Sequence, residues 1–126
     1  MLSLPPAVRI FVATAPTNLH LSFDRLAALV HDVLQQDPLS GHLFVFRNHR
    51  GDRVKVLYWD RSGFCLWYKR LERGVFHFPP VSAAHVEVDA ADLLLLLDGI
   101  DLGPATRRPR FTPRLAPVAG AGVTYR

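Results

Sequence analysis

GHLFVFRNHRGDRVKVLYWDRSGFCLWYKRLERGVFHFP, Gly41 to Pro79, decides the fold. Four short apolar runs stand out in it: Leu43–Phe46, Val54–Trp59, Phe64–Tyr68 and Val75–Phe78. Polar clusters separate them, Asn48-His49-Arg50-Gly51-Asp52, Asp60-Arg61-Ser62-Gly63 and Glu72-Arg73-Gly74, each with one glycine. Runs this short, rich in Val, Phe, Tyr and Trp and punctuated at this spacing, read as strands joined by hairpin turns. Glycine suits the positive φ of such turns, and Asp and Asn tolerate it. The stretch therefore predicts an antiparallel meander of four strands.

Outward from the meander, Val8–Ala13 reads as a further strand pairing with it, and Pro16-Thr17-Asn18 breaks that strand. Ser22 is placed as an N-cap, with Asp24 in the first turn of a helix. Phe23, Leu26, Ala27, Val30, Val33 and Leu34 then recur at helical spacing as one apolar stripe facing the sheet. Asp37-Pro38 predicts a stop near Gln36. Downstream, His85–Val88 reads as an edge strand, and Asp89 caps a helix from Ala90 to about Asp98, with Gly99 as its stop. Leu93–Leu97 is apolar all round, which suits burial or an oligomer contact. The expected class is α+β: an antiparallel β-meander of about five strands packed against one amphipathic helix, with the short Leu-rich C-terminal helix at a sheet edge or a dimer contact.

A chain of 126 residues, 49% hydrophobic, suffices for one domain with a modest core. Residues 1–103 are assigned to that domain. Residues 104–126 carry Pro104, Pro109, Pro113 and Pro117, five arginines and no acid, and read as a disordered basic arm. The body holds ten basic and eleven acidic side chains, so the overall charge of +4 comes from the arm. The lone Cys65 excludes an internal disulfide and fits a reducing cytoplasm. No signal segment or membrane span is read, and the expected location is cytoplasmic.

Charge within the meander is the functional signal. From Arg47 to Arg73 eight basic side chains face three acidic ones, with Tyr58, Trp59, Trp67 and Tyr68 interleaved. Guanidinium groups neutralise phosphate and aromatic rings stack on exposed bases. The candidate nucleic-acid-binding residues are Arg47, Arg50, Arg53, Lys55, Trp59, Trp67, Lys69, Arg70 and Arg73. Alternation puts Lys55, Leu57 and Trp59 on one side of their strand, and Cys65, Trp67 and Lys69 on one side of the next. Joining Lys55 and Trp59 with Trp67 and Lys69 makes one basic, aromatic face, expected to stand open.

Enzymatic readings find little support. The histidines at 20, 31, 42, 49, 77 and 85 show no metal-ligand spacing, although His77 and His85 could meet across a strand pair. Asp52 and Asp60 sit in turns, where Asp is common for backbone reasons, so a cleavage triad with Asp98 is not supported. Cys65 lacks an activating context, and the turn glycines make no phosphate loop. No catalytic residue, metal site or cofactor is expected.

The run Ser40 to Pro79 resembles, nearly residue for residue, the TnpB accessory proteins encoded by the second reading frame of bacterial insertion sequences of family sixty-six. The resemblance extends through Val8–Ala13, Phe23–Val30 and Leu93–Asp101. It implies a non-catalytic role in transposition, with the DNA of the element's ends, the transposase and a sister accessory protein as partners. Family members usually carry a basic pair just before the helix, where this chain has His20 and Leu21. Two modes of action are open: direct DNA binding by the basic-aromatic face, or docking onto the transposase without touching DNA.

Overall fold

A computed structural model describes residues 7–81 and 83–99. The elements run β1 (Ile10–Ala13), α1 (Phe23–Asp32), β2 (Leu43–Arg47), β3 (Arg53–Asp60), β4 (Gly63–Arg70), β5 (His85–Val88) and α2 (Ala90–Leu97). The strands form one sheet in the order β4-β3-β2-β1-β5. The fold is α+β, but the sheet is mixed rather than a purely antiparallel meander. β1 and β2 pair in parallel, Phe11 beside Phe44, and the other neighbours are antiparallel. A strand returning parallel to its neighbour needs a crossover, and α1 supplies it.

The fourth expected strand does not form. In Val75–Phe78 the Phe76 N–H donates to the Gly51 carbonyl, and no ladder follows. Phe76 is instead buried in the core on the α2 side of the sheet, with Phe78 packed against the same cluster. This segment lies on the route from one sheet edge at β4 to the other at β5, so its aromatics pack on the sheet face instead of extending its edge.

Both faces of the sheet are covered. Phe11, Ala13, Phe44, Phe46 and Leu57 pack with Leu19, Leu26, Val30 and Leu34 on the α1 side. Ile10, Val12, Leu43, Val45, Val54 and Val56 pack with Phe76, Leu93, Leu96 and Leu97 on the α2 side. Thus β1 is buried at every position and β2 at all but Arg47, as expected for strands apolar on both sides. The Leu-rich helix is neither an edge element nor a free contact surface: Leu93, Leu96 and Leu97 are buried over the central strands, and Leu94 is left exposed.

Helix ends follow local chemistry. Ser22 is the N-cap of α1, but its hydroxyl makes no capping hydrogen bond. The helix ends at Asp32, before the expected stop, because Gln35 turns into the left-handed region (φ 55°) and Gln36 N–H bonds back to the Val30 carbonyl. At α2 the Asp89 carboxylate accepts from Asp92 N–H at 2.8 Å, and the Asp92 carboxylate accepts from Asp89 N–H. This reciprocal pair satisfies orphan donors of the first turn. Gly99 stops the helix with φ 79°. The expected basic arm, 104–126, and the domain boundary before it lie outside the described residues.

Candidate nucleic-acid interface

The single basic-aromatic face expected from alternation does not exist. Asp60 pairs with Gly63 across a turn whose two central residues are Arg61 and Ser62. A two-residue turn opposes odd positions of one strand to even positions of the next. Lys55 therefore lies opposite Tyr68, Leu57 opposite Leu66 and Trp59 opposite Phe64, all on the α1 side. Trp67 and Lys69 lie opposite Val56 and Val54, on the α2 side. The alternation within each strand is as read; the joining of the two sets was wrong. Arg61, not Gly63, takes the positive φ of this turn (57°).

Three of the nine candidate residues use their cations inside the fold. Lys55 Nζ donates to the carbonyls of Leu19 and Leu21 at 2.6 and 3.2 Å, pinning the approach to α1. Lys69 Nζ donates to the Leu97 carbonyl at 2.8 Å. It supplies the positive charge that the last turn of α2 lacks. Arg47 donates to the Thr14 carbonyl at 2.9 Å and lies 5.5 Å from the centre of the Phe78 ring. Burial moves its pKa below the ordinary arginine value. The two tryptophans are also engaged: Trp59 meets Phe64 edge-on at 5.1 Å, and Trp67 packs against the core on the α2 side.

The remaining four, Arg50, Arg53, Arg70 and Arg73, come together at one corner. Arg53 and Arg70 are direct cross-strand partners at the open end of the β3–β4 hairpin. Arg50 sits in the β2–β3 turn, and the following loop is tied to that turn at both ends. Leu71 N–H donates to the Asp52 carbonyl and Phe76 N–H to the Gly51 carbonyl, each at 2.8 Å, with Arg73 between them. Asn48 shapes the turn: its Oδ1 accepts from Gly51 N–H and Arg53 N–H, and its Nδ2 donates to Asp52. Gly51 is required there, with φ 79° and the Val75 side chain 3.4 Å from where a Cβ would stand.

The corner is cationic on balance. Arg70 pairs with Glu72 at 3.0 Å, both exposed. Among the described residues Arg50, Arg53 and Arg73 have no carboxylate within ion-pair distance. The hydrogen bond from Asn48 holds the Asp52 carboxyl below its ordinary range, and the charges of Arg50 and Arg53 add to this. Tyr68 lies between these cations. Its hydroxyl accepts from Arg53 Nη1 at 3.2 Å, and Lys55 Nζ stands 5.0 Å from its ring centre. Tyr68 remains 49% exposed. Asn48 and Tyr68 were absent from the sequence-derived set. Tyr68 shares its side of β4 with Arg70, opposite the side of Trp67 and Lys69.

Elsewhere, Arg9, just before β1, grips Glu87 of β5 with two hydrogen bonds of 2.9 and 2.7 Å. Burial, and then Cys65 on the facing strand, push the Tyr58 phenol above its ordinary value. Among the described residues no group of three or more His, Cys, Asp or Glu side chains could hold a metal ion. No helix among them is long and apolar enough to cross a membrane.

The family described as IS66 Orf2 like protein matches residues 8–107. Among similar chains, uncharacterized protein y4hO of Sinorhizobium fredii (strain NBRC 101917 / NGR234) is 43% identical over 94 residues, 75% of this chain and 82% of its own. Uncharacterized protein y4jC of the same strain is 41% identical over 106 residues, 84% of this chain and 91% of its own. No solved structure matches. The sheet, its helices and the arginine corner all fall within the matched span, and the chain belongs to the IS66 Orf2-like family of insertion-sequence accessory proteins.

Proposed function

We propose that this protein is a non-catalytic accessory of transposition that binds the DNA of the element's ends through the corner of Arg50, Arg53, Arg70 and Arg73. The observation that carries the reading is the direct opposition of Arg53 and Arg70 in the β3–β4 ladder. Like charges facing each other across a strand pair cost stability. Glu72 compensates Arg70 alone, through an exposed pair. A phosphate seated between the two guanidiniums supplies the missing counter-charge, and Arg50 and Arg73 extend the contact along a backbone. Such contacts position DNA without reading its sequence.

Reversal of Arg50, Arg53 and Arg70 to Glu in the full-length chain tests this, because the basic C-terminal segment stays constant between the two proteins. The variant should lose the mobility shift of terminal DNA. The wild-type affinity should fall with salt on a logarithmic slope of about three or more, from roughly 0.9 per phosphate contact. An unchanged shift with intact circular dichroism removes the corner from the interface. Retention by wild type only after transposase is added supports the adaptor mode instead.

A further inference from the structure

Tyr68 is the aromatic residue of the β3–β4 hairpin with the greatest exposure; Trp59, Phe64 and Trp67 are half-buried and packed. Its ring is held from two sides, at the hydroxyl by Arg53 and over one face by the Lys55 ammonium. A ring fixed in this way loses little freedom when something stacks on it. Lys55 is itself anchored to the Leu19 and Leu21 carbonyls, so the covered face stays covered. The exposed surface of the ring is left to its opposite face and edge. β4 is an outer strand of the sheet, and among the described residues no further strand stands beside Tyr68.

We infer that the corner takes an unstacked nucleotide of single-stranded DNA, its base on the open face of Tyr68 and its flanking phosphates on Arg53 and Arg70. This rests on the DNA-binding reading above and specifies the form of DNA. Arg70 follows Tyr68 by two residues on the same side of β4, and Arg53 faces Arg70. The Cα of Arg70 is thus about 7 Å along the strand from that of Tyr68, and the Cα of Arg53, diagonal to Tyr68 across the ladder, about 7–8 Å from it. In a duplex the faces of the bases are occupied by their neighbours, so a lone tyrosine finds no partner there. An unpaired strand offers a π-face at every base, and stacking on one of them is tolerant of sequence.

The test uses the full-length protein with three probes of equal length: a single strand, its blunt duplex, and a strand carrying an abasic site at each position. Wild type should bind the single strand most tightly, with the abasic strand weaker by about ten-fold or more. Tyr68→Ala should bind the normal strand as weakly as wild type binds the abasic one, and should not distinguish the two strands. Tyr68→Phe, which keeps the ring, should retain the preference. Equal wild-type affinity for strand and duplex overturns the inference, as does an abasic penalty that survives in Tyr68→Ala, while the corner stands as a phosphate site if charge reversal still abolishes binding. Binding to none of the probes removes the DNA-binding reading itself.

Discussion

At the scale of single residues, a cation on a strand tells little about where its charge is used. Lys69 follows Tyr68 in sequence and Lys55 shares a strand with Trp59, yet each ammonium reaches main-chain carbonyls beside a helix. Lys69→Met should cost about 1 kcal/mol of stability in urea denaturation, through loss of the charged hydrogen bond at the end of α2. DNA retention should be unchanged; a selective loss of DNA binding at full stability would return Lys69 to the interface. Glu87 gives a pH-dependent case. The hydrogen bonds from Arg9 hold its pKa below the ordinary 4.5. Its contribution is complete above that value and is lost as pH falls through the depressed one. The gap in denaturation midpoint between wild type and Glu87→Gln should therefore close in acid, and a gap constant from neutral pH to pH 3 would contradict it. The pair is exposed, so the whole effect is small.

At the scale of elements, the caps and apolar patterns were legible because they are local. Asp89 before Ala90 and Gly99 past the end define α2 from sequence alone, and the structure adds a reciprocal cap between Asp89 and Asp92. Asp89→Ala should cost about 1 kcal/mol, read as a lower melting temperature. No change would mean that tertiary packing alone holds the first turn. Val75–Phe78 shows the limit of the same reasoning. Its composition is that of a strand, but with β4 and β5 forming the edges it lies over the sheet as core filling. The end of α1 is a second case, since the left-handed turn at Gln35 is made by a residue that gives no stop signal.

At the scale of the molecule, the two apolar faces of β1 and β2 require two covers, and α1 and α2 with Phe76 provide them. The Leu-rich helix is thus used internally. Leu96→Ala, at a position with no exposed surface, should cost about 2–5 kcal/mol. A drop in oligomer mass with unchanged stability would point instead to a contact between copies. With both faces covered, the surface left for a charged partner is the periphery, where the turn at 48–52 and the loop at 71–76 bring four arginines and Tyr68 together.

The sequence by itself determined which segments are strands and helices in the main, the alternation along each strand, the capping of α2 and the basic character of the hairpin. These depend on neighbours within a few positions. Tertiary structure alone decided the parallel pairing of β1 with β2, the covering of both sheet faces and the gathering of four arginines at one corner. The physical reason is that a two-residue turn fixes which side chains of β3 and β4 share a face. Burial under two helices then decides which of those cations reach solvent.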